Sequence, residues 1–213
     1  MRSRPVAMIN RLLLLSLFGL SVHSSHLAAS TDAELVPAIR QRLLQPDVLR
    51  GEFAQRKQVA GFSKPLQSSG TFLVARQHGV LWLTQRPFSS ALRLTRDQIL
   101  ATQGGVETFR LDAAQQPAVS AINSLLFSLL NGDISALTEH FIVTGNMVGT
   151  SWQLELTPRQ PVLARIMRQV HLQGGAHVQQ IAISESNGDH TEIAFSRQTS
   201  DTPLSAAEVA SFE

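Results

Sequence analysis

Cysteine and tyrosine are absent from the 213 residues, and lysine occurs only at Lys57 and Lys64. Without cysteine no disulfide framework can form, which excludes the small cross-linked scaffolds common among exported proteins. Aromatic residues make up 6% of the chain, too few for a sugar-binding or base-stacking platform. The chain also lacks G-x-S-x-G, H-E-x-x-H, G-x-x-x-x-G-K-[ST] and G-x-G-x-x-G, so no common nucleophile, zinc or phosphate signature marks it as an enzyme. Its histidines do not assemble either. His23 and His26 lie in the leader, His171 and His177 flank a Gly-Gly turn with rings expected on opposite sides, and His190 follows Asp189 in a turn. No metal, cofactor or catalytic residue is expected.

One long apolar run is present, and it is short of a membrane span. LLLLSLFGLSV (12–22) follows Arg2, Arg4 and Arg11 and precedes LAAS. This is the pattern of a secretory signal, with cleavage expected after Ala29 or Ser30; a bilayer span needs roughly twenty residues. Residues 1–30 therefore read as a signal peptide and 31–213 as one domain, exported to the periplasm. The signal holds three of the 18 Lys+Arg and none of the 16 Asp+Glu, leaving 15 against 16. The pI of 9.9 comes from having little that titrates between histidine and arginine. Nothing in this balance points to nucleic acid.

The rest reads as strands around helical segments. Thr31 and Glu34 have capping-box spacing. Leu35, Ala38, Ile39, Arg42 and Leu43 then recur at helical period until Pro46. LRGEFAQRKQV (49–59) alternates as a strand. FLVARQHGVLWLTQRP (72–87) reads as a two-stranded ribbon, apolar on both faces, and ALRLT (91–95) as another strand. PAVSAINSLLFSLLNG (117–132) predicts a helix that is apolar almost all round, either a core helix or a lid that can lift. ISALTEHF (134–141) continues as a short helix. Trp152, Leu154 and Leu156 mark a half-buried strand ending at Pro158. Two hairpins follow. An even turn at Gly174-Gly175 puts Ile181 and Ile183 on the face of Ile166, Val170 and Leu172, with Arg168 on that face too and His171 opposite Val178. A three-residue loop, Asn187-Gly188-Asp189, keeps Ile183 and Ile193 together. Eight or more strands result, with a helical insertion midway.

Four stretches carry a resemblance. They are FAQRKQV, then LQSSGTFLVARQHGVLW with QRP, then F-x-V…G…W-x-L-x-L-x-P in FIVTGNMVGTSWQLELTP, and finally HVQQIAISESNGDHTEIAFS. In this order they are similar to the periplasmic lipoprotein carriers of the LolA family, over roughly residues 35–196. The resemblance implies an α+β fold, an incomplete antiparallel β-barrel with a strongly curved sheet closed by an α-helical lid, whose apolar interior holds acyl chains. It also implies a role for Arg76, which falls where the family has an arginine that bonds lid backbone in the closed, empty state. The alternative is a strand-end arginine snorkelling to water.

The expected cavity wall comprises Phe72, Val74, Arg76, Trp82, Leu92, Leu94, Trp152, Leu154, Leu156, Ile181, Ile183, Ile193 and Phe195. The lid side would come from Leu35, Ile39, Leu43, Ile122, Leu125, Leu126, Leu129 and Leu130. A plain core would use the same residues. The implied function is a periplasmic carrier, acting as a monomer, for acylated cargo (lipoprotein or another lipid), with an inner-membrane exporter as donor and an outer-membrane acceptor. A lipid- or lipoprotein-sensing module and a hydrolase on the same scaffold are the competing classes. The chain departs from the family after Arg76, where Gln-His-Gly stands in place of Pro-Asn, in a reduced loop around 102–112 and in a shorter C-terminal region. These departures leave glycolipid or pigment cargo open.

Overall fold

The protein is seen in a computed structural model, described for residues 32–95, 97–112, 134, 137–200 and 202–213. The signal segment, Thr31 of the expected capping box and the helix expected over 117–132 lie outside these residues, and with that helix Ile122, Leu125, Leu126, Leu129 and Leu130.

Helix α1 (Asp32–Arg40) is prolonged by one turn, in which the amide of Leu43 donates to the Ile39 carbonyl at 3.1 Å. Leu35, Val36, Ile39 and Leu43 are its buried stripe, as the period of the apolar residues requires. Six strands follow: β1 (Val48–Gln58), β2 (Leu66–Ala75), β3 (Gly79–Arg86), β4 (Ser90–Leu94), β5 (Gln98–Gln103) and β6 (Val106–Asp112). Beyond the short helix α2 (Leu137–His140) come β7 (Phe141–Val148) and β8 (Ser151–Pro158), then α3 (Pro161–Ala164), and then β9 (Met167–Gly174), β10 (Val178–Glu185) and β11 (His190–Thr199). Helix α4 (Ala206–Ala210) closes the chain.

All eleven strands form one antiparallel sheet in the order β6-β5-β4-β3-β2-β1-β11-β10-β9-β8-β7. It is two meanders seamed along β1 and β11, and it does not close, because β6 and β7 stand at opposite edges. Helix α1 packs against β7.

Several local expectations are corrected. The stretch around 102–112, expected as a reduced loop, is the turn and second strand of the β5–β6 hairpin. Its two-residue turn is Gly104-Gly105, with φ of +59° and +79°, a conformation glycine adopts without steric cost. The short helix expected to reach residue 141 stops at His140, and Phe141 opens β7. The β9–β10 connection is not a two-residue Gly-Gly turn. Residues 175–177 connect the strands, and Gln179 bulges between the pairs Val178–Gly174 and Gln180–Gln173. An odd loop plus one bulge gives the same parity as an even turn, so Ile181 and Ile183 still face Leu172 and Val170. His171 pairs with Ala182 rather than Val178. A second bulge, at Arg168, turns that side chain out to solvent. It leaves Ile166 exposed and buries Met167 instead. In the last hairpin the Glu185 amide donates to the Asp189 carbonyl at 2.9 Å, so the three-residue loop is Ser186-Asn187-Gly188, one position earlier than expected.

Candidate functional site: the apolar inner face and its Arg76 corner

Directly paired residues in an antiparallel ladder share a face, and the register joins one apolar face across the sheet. From β1 it takes Leu49, Gly51 and Phe53, which lie opposite Val74, Phe72 and Gly70 of β2. From there it passes through Val80 and Trp82 of β3 to Leu94 and Leu92 of β4 and to Ile99 of β5. On the other side of the seam Phe195 and Ile193 of β11 lead to Ile181 of β10, Leu172 of β9 and Leu154 of β8. Trp152 and Leu156 flank Leu154, alternating with outward Gln153 and Glu155. The buried residues of this inner face and of α1 form one cluster, with Trp82, Leu92, Ile183 and Ile193 half-buried against it.

The register thus brings Phe72, Val74, Trp82, Leu92, Leu94, Trp152, Leu154, Leu156, Ile181, Ile183, Ile193 and Phe195 onto a single face. Leu35, Ile39 and Leu43 approach the same cluster from α1. Sequence reasoning left out Phe53, which joins an aromatic group centred on Trp82. Its ring stacks on Trp82 with centroids 3.8 Å apart, although β2 runs between their strands. Gly70, opposite Phe53, lets the β2 backbone lie close against β3, since a Cβ there would come within 1.9 Å of the Leu83 carbonyl oxygen. Phe195 meets Phe72 edge-on at 5.2 Å and Trp82 at 6.0 Å. Offset-stacked and edge-to-face contacts of this kind add about 0.5–1.5 kcal/mol each to area burial. The signal was available in the sequence: Phe53 has the odd parity of Leu49 and Gly51 in a strand already recognised.

Arg76 stands apart from this wall. It follows the last residue of β2, and its amide donates to the Asp47 carbonyl at 2.9 Å. Its Nη2 donates to the Gln45 carbonyl, and its Nε lies 3.5 Å from an Asp47 carboxylate oxygen. Gln45 and Asp47 belong to the connection between α1 and β1, so one guanidinium holds the segment on which α1 hangs. Arg76 also borders a cleft of about 590 Å³ with Asp47, His78, Pro203 and Leu204. At the other end of the inner face Lys57 bonds Glu185 at 2.7 Å and lies 3.1 Å from Asp189. Asp189 is held below the usual carboxylate range, first by the Ala60 amide and then by Lys57.

The outer face explains the doubly apolar ribbon. Leu73 and Ala75 of β2 and Leu81 of β3 point away from the main core and bury against Phe212, with Val48 and Leu204 at the margin. The C-terminal segment that carries Phe212 is strapped down by Arg50. Its guanidinium donates to both Glu208 oxygens at 2.8 Å and to the carbonyls of Thr202 and Pro203 at 2.7 and 3.0 Å. Ser205 and Glu208 complete a capping box on α4. The Arg50 bonds, helped by the Ser205 amide, push the Glu208 carboxyl down to about 2.

No group of three or more His, Cys, Asp or Glu suited to a metal occurs among the described residues. No helix among them is long and apolar enough to cross a membrane.

The described residues thus form an open antiparallel sheet with one continuous apolar face and few helices. The sequence matches the family described as outer membrane lipoprotein carrier protein LolA-like over residues 28–209, and the chain belongs to that family. Comparison with curated proteins finds no match. Among solved structures the chain is similar to a LolA superfamily protein from Nitrosomonas europaea, at 12% identity and a TM-score of 0.44, covering 83% of this chain and 96% of that one. It is also similar to a DUF1329 family protein from Desulfovibrio piger, at 12% identity and a TM-score of 0.48, covering 84% and 96%. Likenesses this distant say nothing about cargo; the family assignment comes from the sequence match.

Proposed function

We propose that the protein is a non-enzymatic periplasmic carrier. It takes the acyl chains of a lipoprotein or other lipid against the inner face and shuttles them toward the outer membrane, from an inner-membrane exporter to an outer-membrane acceptor. The observation that carries this reading is the continuity of the apolar face across the sheet, including half-buried Trp82, Leu92, Ile183 and Ile193, in a member of this family. Bringing a sixteen-carbon chain into water costs on the order of 12 kcal/mol, so a soluble shuttle has to offset most of that and still let go. A lid whose closed form competes with cargo meets both needs, because closure lowers net affinity by its own free energy. Helix α1, and the segment 117–132, would supply that lid.

Arg76 is then the latch. A guanidinium has five donors and keeps its charge, so beside an apolar interior it needs carbonyl or carboxylate partners. Here it takes Gln45 and Asp47, behind α1. Entry of an acyl chain that displaces α1 would have to release those contacts.

The deciding experiment is native mass spectrometry of the mature protein purified gently from the periplasm, followed by organic extraction. A bound acylated species is expected and would name the cargo class. An empty protein that also ignores fluorescent acyl probes would make the inner face a closed core and end the carrier reading.

A further inference from the structure

The exposed apolar side chains are distributed unevenly between the two ends of the sheet. The end formed by the β1–β2, β3–β4, β5–β6, β8–β9 and β10–β11 connections bears Phe62, Leu66, Phe88, Val106, Val162 and Ile166, of which Phe62 and Phe88 are 69% and 72% exposed. The opposite end, where β7 turns into β8 and β9 into β10, has Leu44 and Val148.

Charge follows the same axis. Segments 59–65, 86–89 and 159–168 contain Lys64, Arg86, Arg159, Arg165 and Arg168 and not one acid. All five basic residues are exposed. Of the nearby acids, Glu185 and Asp189 are engaged by Lys57 and Glu107 by Arg110; Glu192, which shares a cleft with Arg86, lies 3.9 Å from Arg56, and Glu139 on α2 is exposed.

The loop that carries Phe62 is built rather than slack. The Phe62 amide donates to the Val59 carbonyl at 3.1 Å, and Gln58 Nε2 donates to the Phe62 carbonyl. Asp189 accepts from the Ala60 amide at 2.9 Å, tying the loop to the β10–β11 turn. The connection through α3 is tied to the same turn, because the Ser186 hydroxyl donates to the Ala164 carbonyl at 2.7 Å. A fixed frame therefore holds Phe62 and the α3 connection, with Val162 and Ile166, out in water, where a monomer gains nothing from these apolar side chains.

We propose that this end of the sheet is a membrane-docking rim, with Phe62 and Phe88 entering the headgroup region of a bilayer and Lys64, Arg86 and Arg165 contacting anionic phospholipid. Apolar tips ringed by basic side chains fit an anionic lipid surface. Apolar area supplies insertion there, and each cation near the surface adds its own electrostatic increment. The rim does not depend on what the inner face holds, so it stands even if the carrier reading fails.

The test is sedimentation of the processed protein with vesicles of phosphatidylcholine alone or mixed with phosphatidylglycerol. Binding to the mixed vesicles is expected, weakening as salt is raised, with little binding to phosphatidylcholine alone. Replacing Lys64 and Arg86 by glutamine is expected to lower partitioning about fivefold for each charge removed. Phe62→Ser with Phe88→Ser is expected to lower it further, and Val148→Ser, at the opposite end, to leave it unchanged. Circular dichroism melting verifies that each variant is folded, which these exposed positions favour. Absence of binding to anionic vesicles would overturn the proposal and point the rim toward a protein partner. Equal binding by wild type and the folded Phe62/Phe88 variant would overturn it as well.

Discussion

Replacing Glu208 by glutamine tests whether the C-terminal segment is a strap or an incidental contact. In the folded protein Glu208 takes both of its ionic bonds from Arg50, and its carboxyl sits at about 2 against an ordinary value of 4.5. In the absence of solvent screening that displacement corresponds to about 3 kcal/mol. The two side chains are 24% and 29% exposed, and solvent screening reduces the expected contribution to about 1–2 kcal/mol. A carboxylate held low stabilises the fold fully above its unfolded value and loses that contribution as pH falls toward its folded one. The gap between wild type and Glu208→Gln should therefore be about 1–2 kcal/mol near neutrality. It should narrow below pH 4.5 and be nearly gone by about pH 2. Urea unfolding followed by the fluorescence of Trp82 and Trp152, repeated across that range, measures it. A gap missing at neutral pH, or one that stays the same in acid, would refute the reasoning.

Three further outcomes follow from the inner face and its corner. Gly70→Ala should destabilise by roughly 3 kcal/mol or more, because the new methyl meets the Leu83 backbone at 1.9 Å, and the urea midpoint should fall accordingly. Phe53→Ala should cost about 3–5 kcal/mol, the range for an aromatic ring removed from a packed core, and should change the emission of Trp82, its stacking partner. Arg76→Leu should unlatch the α1–β1 connection, so that loaded protein transfers cargo to an acceptor more slowly than wild type. Unchanged transfer would show that the Gln45 and Asp47 contacts only fix a turn.

Much of this architecture was legible in the residues because a half-buried strand alternates strictly. Trp152, Leu154 and Leu156 against Ser151, Gln153 and Glu155 leave one register open, and the face parity of β10 and β11 came out right. Bulges were not legible. Arg168 and Gln179 each add one residue to a strand, and no side-chain type marks such a position. Their effect is visible only through the pairing partner. The β5–β6 hairpin was missed for another reason: β6 is exposed over most of its length, so its pattern is weak, and Gly104-Gly105 was its main sign. At the site, alternation could assign apolar residues to a face only one strand at a time, and their joining into one face across the sheet comes from the register. The Phe53–Trp82 stack emerges only from the pairing order, because β2 lies between the two strands. The second apolar face of the β2–β3 ribbon could not be explained from its own sequence, since its cover is Phe212 at the far end of the chain.

The seam between β1 and β11 bears on how the molecule comes into being. Phe53 finds Phe195, and Arg50 finds Thr199, only after everything between them has emerged. Until then the chain consists of two separate meanders, with β1 and β10 each lacking a strand neighbour. Such long-range closure is slow compared with the hairpins on either side, and during that interval the unpaired strand edges are open to strangers. The pairing that joins the two halves of the sheet is thus among the last to become possible.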